Sequence, residues 1–497
     1  MRLLLLVSSL VAATANASGF YFGENGATAL IQGGAFTGQA DDLTAVNHNP
    51  AGLAQWTGFK FLVDNEIIHH DASFLRQDSS VPAGLTNSAT NTDGAFYLPF
   101  VAAGYGFNLG NRRLTVSLGL YGPPSVGQYS YPEPDYERDS KGAYVNNPKK
   151  FAPQRYELVK NNIIILYPSL SVGFEVLPNR IWVGGSLQYV YSSFEIEQVL
   201  YSGLTPMPTL KTEDPFFDST VKLKLNGKPG VTGILGVLAR ATDWLQVGAS
   251  VRPPLHIEAE GQMELGLGEA ATALGTKVSG DKAGLAINFP LEVRAGLYAR
   301  PLKQLGINFD FVYQGWQSVH EIVLSPENVS LQIGSNAPQT VSAFHIPKNW
   351  HHTISFRLGA SFDLLKYVTL HAGAWYETAA ADDQYVTVDF MHFDRVFITG
   401  GATVHFAPLG LPVDLVLGIA GSPTVTKNVT DSKVLAANTD PTIAGGVVGN
   451  GLYNSGGYVL TGGIRGHFGG APPPPEPAPA AAPASSAGPQ TQPAPAN

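Results

Sequence analysis

The sequence predicts an all-β protein: a transmembrane antiparallel β-barrel of about 14 strands with an N-terminal hatch, or plug, inside its lumen. Three observations predict it. Segment after segment alternates apolar and polar residues with period two. Short turns alternate with long polar loops, the outer-membrane barrel signature. Past its first residues the chain has no run of eighteen apolar residues, so no helix is available to cross a membrane.

The elements follow in order. Arg2, the apolar run Leu3 to Ala13 and the small-x-small site Ala15-Asn16-Ala17 make residues 1–17 a signal peptide. Residues 18–57 lack sustained alternation, are rich in Gly, Ala and Asn, and precede the first strand, which marks them as the hatch. Residues 58–468 hold the barrel. Its strands are read at 58–71, 95–109, 113–130, 154–177, 180–201, 219–241, 243–261, 283–300, 303–324, 347–365, 366–381, 393–407, 411–426 and 456–468. Ile354 to Phe362 carries its apolar residues at even positions, and Ile307 to Phe311 at odd ones. Tight turns fall at Gly110-Asn111, Pro178-Asn179, Thr242-Asp243, Pro301-Leu302, Leu364-Leu365 and Pro408-Leu409. Trp182, Trp244, Trp316, Trp350 and Tyr367 near strand ends read as an interfacial girdle. Residues 469–497 are rich in Pro and Ala and predict a disordered periplasmic tail.

Composition narrows the function. Only 14% of residues are charged, the net charge is −9 and cysteine is absent. That excludes thiolate chemistry and disulfides, and it argues against a nucleic-acid partner. Mean hydropathy is +0.03, which a barrel permits because its polar lumen offsets its apolar exterior. No P-loop, GxSxG, HExxH or dinucleotide fingerprint occurs, so neither a cofactor nor a catalytic residue is assigned. His69-His70 and His351-His352 are neighbours on strands and point to opposite faces, so no metal site is assigned either.

The chain resembles the outer-membrane long-chain fatty acid and aromatic hydrocarbon transporters of the FadL/TodX type, which are OmpP1-like. Gly19-Phe20, Ala40-Asp41-Asp42 and Asn49-Pro50-Ala51 resemble the family's hatch and its NPA motif. Val247 to Pro253, Phe289 to Gly296, Phe309 to Trp316, Ile346 to Trp350 and Thr369 to Tyr376 resemble its strands in order and spacing. His351-His352 departs from the Lys-Asp pair that often follows the Trp, and the Pro/Ala tail extends past Phe468, where a typical member ends. The resemblance implies fourteen strands, ligand capture by extracellular loops, a lumenal pocket, a hatch rearrangement and lateral release at a kink in the third strand. Here that kink is Gly122-Pro123-Pro124, where Pro removes ladder donors and Gly permits a bend. The competing reading is that Pro123-Pro124 ends the strand at its rim.

The candidate ligand-binding residues are Phe20 and Phe22 of the hatch with Arg252, Arg294 and Arg357 on polar strand faces. An arginine holds a carboxylate bidentately, as a fatty acid headgroup would require. The competing reading pairs these arginines with Glu292, Asp310, Glu377 or the hatch acids Asp41 and Asp42. The function expected is passive uptake of hydrophobic small molecules across the outer membrane of a Gram-negative cell. Long-chain fatty acids are the first expectation and aromatic hydrocarbons the alternative. The barrel is expected to be a monomer in contact with outer-membrane lipid and lipopolysaccharide. Two other classes compete: an outer-membrane lipid hydrolase, for which no Ser-His pair stands out, and a structural barrel.

Overall fold

The computed structural model describes residues 21–469, except 79–86, 126, 136, 139–143, 146–151, 204–205, 210–212, 392 and 438–444. The signal peptide, Phe20 and the tail from 470 onward lie outside the described residues.

Fourteen antiparallel strands close into one barrel. β1 (Gly58–Arg76) pairs with β2 (Phe96–Leu109), which pairs with β3 (Arg112–Leu120, resuming at Gln128–Ser130). β4 (Lys160–Leu166 and Ser169–Leu177) and β5 (Ile181–Tyr201) follow, then β6 (Asp218–Gly227 and Gly230–Arg240). β7 (Leu245–Arg252 and Leu255–Gly266), β8 (Lys282–Phe289 and Glu292–Leu302) and β9 (Leu305–Gln314 and Glu321–Glu327) continue the ladder. β10 (Phe344–Pro347 and Thr353–Leu365), β11 (Val368–Glu377), β12 (Arg395–His405) and β13 (Val413–Val429) lead to β14 (Gly451–Phe468). β14 then pairs back onto β1, from Phe59↔Phe468 to Arg76↔Gly451. This closure removes the two end strands that an open sheet would leave unpaired in the bilayer. No helix among the described residues is long and apolar enough to cross a membrane.

Several strands rotate half a turn part-way up. In β7, Val247 and Val251 point outward, yet beyond Pro253-Pro254 the odd-numbered Leu255, Ile257 and Ala259 are buried. β6 and β8 do the same. Val231 and Leu235 face out but Val221 to Leu225 face in; Leu297 faces out but Leu285 to Phe289 face in. The apolar register runs on unchanged while the proline-bearing break flips the face it serves. The cause is the surroundings: lipid outside the lower half, water outside the upper half. On β14 the outward residues run from Phe468 to Tyr458. That span is about 33 Å along the strand, or about 25 Å in height at a tilt of about 40°, the thickness of an outer-membrane apolar band.

Two details depart from the sequence expectations. The turns placed at Pro301-Leu302 and Leu364-Leu365 lie two residues later, at 303–304 and 366–367. Register shifts beside each turn add residues to the strands. Of the girdle tryptophans, only Trp244 is exposed; Trp182, Trp316 and Trp350 are buried inside. Trp182 is even-numbered on β5, where Ser186 and Gln188 also face in. The outward aromatics instead include Phe59, Tyr97, Tyr105, Phe107, Tyr189, Tyr191, Tyr458 and Phe468, beside Trp244.

The hatch fills the lumen. Residues 21–57 form α1 (Ala27–Ile31), α2 (Ala45–His48) and a 3-10 turn (Pro50–Gln55), and nearly every side chain in them is buried. Registered glycines on the wall admit its backbone. A Cβ at Gly373 would lie 2.3 Å from Gly33 N, and one at Gly184 would lie 2.3 Å from Pro50 C. Gly359 opposite Gly373, and Gly173 and Gly236 flanking Gly184, extend these lanes across neighbouring strands.

Candidate functional site

Wall carboxylates seat the hatch by capping its orphan amides. Gly26 N donates to Glu66 at 2.8 Å and Ala27 N to Asp64 at 2.9 Å, so β1 caps the start of α1. Phe36 N and Thr37 N both donate to Asp310 on β9, at 2.9 and 2.8 Å. Arg465 joins the hatch to the wall through Asp42 at 3.1 Å and Asp64 at 3.0 Å. Asp42 and Asp310 are legible in the sequence as possible arginine partners. Asp64 and Glu66 belong to no motif, although both stand on the inward parity of β1.

The NPA residues lie where the hatch meets four strands. Asn49 Nδ2 donates to Thr37 O and to Val237 O on β6, each at 3.0 Å, and its Oδ1 accepts from Ala51 N at 3.3 Å. One side chain thus caps the 3-10 turn, ties the hatch to itself and ties it to the wall. Pro50 stands at the first position of that turn, where its missing N–H costs nothing.

The three arginines separate into two groups. Arg294 and Arg357 converge on Glu24 of the hatch, a residue that the sequence reading did not single out. Arg294 Nη1 lies 3.0 Å from Glu24 Oε2, and Arg357 Nη1 bonds the same oxygen. Arg294 also reaches Glu292 at 2.8 Å, and Arg357 reaches Glu377 at 3.5 Å. His48 completes the group: Nε2 donates to Asn25 O at 2.8 Å, which leaves Nδ1 to accept from Arg294 at 3.1 Å. Arg252 stands apart. Its Nη2 donates to Asn47 Oδ1 at 2.7 Å, it lies 5.4 Å from the Tyr167 ring, and its Nε has no partner. No carboxylate among the described residues lies within 4 Å of it. Glu292, its cross-strand neighbour, is engaged by Arg294 and Gln314.

The third strand is interrupted, not ended, at the predicted kink. Its ladder with β2 stops at Leu120 opposite Val101, and Gln128–Ser130 resumes against β4 alone. Phe96 to Phe100 of β2 therefore have a ladder partner in β1 but none in β3. The start of the hatch crosses this break. Phe22 N donates to Pro124 O at 2.6 Å, Asn25 Nδ2 donates to Gly122 O at 3.0 Å, and Tyr21 bridges to Ser125. Phe22 is buried against His70 and Phe397 at 4.7 and 5.2 Å. A cavity of about 590 Å³ lies elsewhere, near the loop end, lined by His351, Asp382, Asp383, Asp394 and Asp431. Its acidic lining does not suit an apolar ligand.

A family model described as outer membrane protein transport protein (OMPP1/FadL/TodX) matches residues 8–446. The chain belongs to that family. It is an outer-membrane transport barrel, and its family and structural neighbours are transport proteins, not enzymes. Over 141 residues it is 31% identical to a putative outer membrane protein of Neisseria meningitidis serogroup B, a match covering 28% of either chain. The fold is similar to that of a Pseudomonas aeruginosa FadL homologue, with a TM-score of 0.66 and 14% identity over 91% of this chain and 100% of that one. It is also similar to the Ralstonia pickettii toluene transporter TbuX, at 0.59 and 16%, and to the Pseudomonas putida toluene transporter TodX, at 0.61 and 13%. Each of these two matches covers 90% of this chain and 99% of the other. These FadL/TodX-type barrels share the architecture described above, and identities this low carry the fold alone.

Proposed function

We propose that this FadL/TodX-type barrel takes up long-chain fatty acids and releases them sideways, through the interrupted third strand, into the outer membrane. The observation that carries the reading is Arg252. It is a lumenal guanidinium with only a neutral hydrogen-bond partner, and it lies in an aromatic shell beside the β3–β4 breaks. A carboxylate supplies what such a cation lacks, whereas toluene supplies nothing. Phe22 gives apolar contacts. Arg294 and Arg357 serve as hatch anchors that can engage a ligand only after Glu24 leaves. The hatch moves as a unit about its Asn49-Pro50-Ala51 seat. The barrel closes on itself and acts as a monomer. Lipopolysaccharide meets the wall above the apolar band, where Lys222, Lys224 and Lys228 stand exposed among glutamates.

Oleate and toluene binding to wild type and Arg252→Gln tests the reading. Oleate affinity should fall by about 1.5–3 kcal/mol, the scale of a charge-assisted hydrogen bond, while toluene affinity holds. Equal loss of both ligands would make Arg252 structural, and tight toluene binding without oleate binding would favour the hydrocarbon reading.

A further inference from the structure

Arg395 opens β12 on the inward face and is 6% exposed. Among the described residues its side chain makes one hydrogen bond, and that bond is long: Nη1 donates to Tyr21 O at 3.3 Å. No carboxylate among the described residues stands within salt-bridge distance. Its cross-strand partner Glu377 leans instead toward Arg357. Among the described residues the guanidinium makes no other hydrogen bond, and the side chain is nearly but not wholly sealed. A buried cation left in this condition is costly unless something acidic visits it.

Its surroundings have a direction. The guanidinium lies 4.8 Å from the Phe22 ring. Phe22 belongs to an apolar cluster with Ile68, Leu98 and Phe397, against which Phe96 packs. Leu98 and Phe96 stand on the stretch of β2 that has lost its β3 partner. Positive charge at one end, aromatic and aliphatic side chains beyond it, and the interrupted wall at the far end match an amphipath with an anionic head and a long apolar tail. Arg252 lies on the Tyr21 side of the hatch's first residues and Arg395 on the Phe22 side, so the two are separate stations.

We infer that Arg395, with Phe22, Leu98 and Phe96, forms a second carboxylate-binding site at the exit side of the lumen. The inference rests on the fatty acid reading and adds to it a specific headgroup contact that none of the three other arginines provides. A guanidinium can take the two oxygens of a carboxylate in parallel, which a lysine cannot do.

The test compares oleate with oleyl alcohol, which share a tail and differ in the head. Both are titrated into purified full-length protein in an uncharged detergent. Arg395→Gln should weaken oleate binding by about 10- to 100-fold and leave oleyl alcohol within about twofold. Arg395→Lys keeps the charge but not the fork and should lose less; it also serves if the Gln variant fails to assemble. An unchanged oleate affinity in both variants, or equal losses for acid and alcohol, would overturn the site. Arg252→Gln run in parallel separates the two ideas. If it alone abolishes the preference for oleate, the function stands and the Arg395 site falls. If wild type binds oleate no better than oleyl alcohol, headgroup recognition falls altogether.

Discussion

At the scale of single residues, the lumen is governed by where carboxylates are already committed. Glu24 satisfies two arginines from β8 and β10, strands separated only by β9, and so it decides which cations remain for a ligand. Glu24→Gln should leave Arg294 and Arg357 under-compensated in a buried site, where breaking one pair costs about 3–5 kcal/mol. Faster backbone hydrogen exchange across residues 24–36, with barrel strands unchanged, is the expected readout; unchanged exchange there would remove Glu24 as the anchor. Asn49 is the second control point. Asn49→Ala removes the hydrogen bonds to Thr37 O, Val237 O and Ala51 N, at about 0.5–1.5 kcal/mol each. Oleate uptake should fall while the heat-modifiable barrel still migrates as folded on a gel, since no ladder bond is touched. Glu24 was not legible in the sequence, because a lone acid in a Gly-rich stretch gives no period and its partners are more than 250 residues away. Arg294 and Arg357 were legible, because strand alternation places their side chains inward.

At the scale of elements, period two located all fourteen strands but not which face each half presents. The apolar residues of β7 stay on odd numbers from Leu245 to Met263, yet Pro253-Pro254 turns them from lipid to lumen. Alternation carries no mark of that rotation, whereas prolines inside otherwise regular strands do. The same reasoning explains the tryptophans. Proximity to a strand end does not fix a side chain's face, and parity would have placed Trp182 inside. The loop-end elements also carry a pH response. Glu157, in the segment before β4, accepts from Val388 N at 2.8 Å and from Tyr453 OH at 3.1 Å. Burial pushes its carboxyl up to about 8. The folded cap keeps this proton to about pH 8, whereas the unfolded chain holds it only to about pH 4.3. The proton-linked stabilisation is therefore complete below about pH 4.3 and is lost as pH rises through about 8. Exchange at the Val388 amide, corrected for intrinsic rate, should speed up between pH 6 and 8.5. Glu157→Gln should flatten that dependence; an unchanged pH response in the variant would assign it elsewhere.

At the scale of the whole molecule, a closed wall, a hatch seated in glycine lanes and an interrupted third strand leave a break in the side of the barrel where the first described residues of the hatch cross it. A transported apolar ligand should use it. The chain contains no cysteine, so an engineered pair can form only the bond intended. A Cβ at Gly122 would meet the Leu98 Cδ1 at 3.3 Å and the Ile165 carbonyl oxygen at 2.7 Å, so a Leu98→Cys, Gly122→Cys pair spans the break once the β4 backbone at Ile165 gives way slightly. Oleate uptake should be measured in cells that depend on this barrel, with the pair oxidised and then reduced. Lateral release predicts that uptake is lost in the oxidised state and restored on reduction, while oleate binding to the purified barrel persists in both. Full uptake through the stapled wall would contradict lateral release.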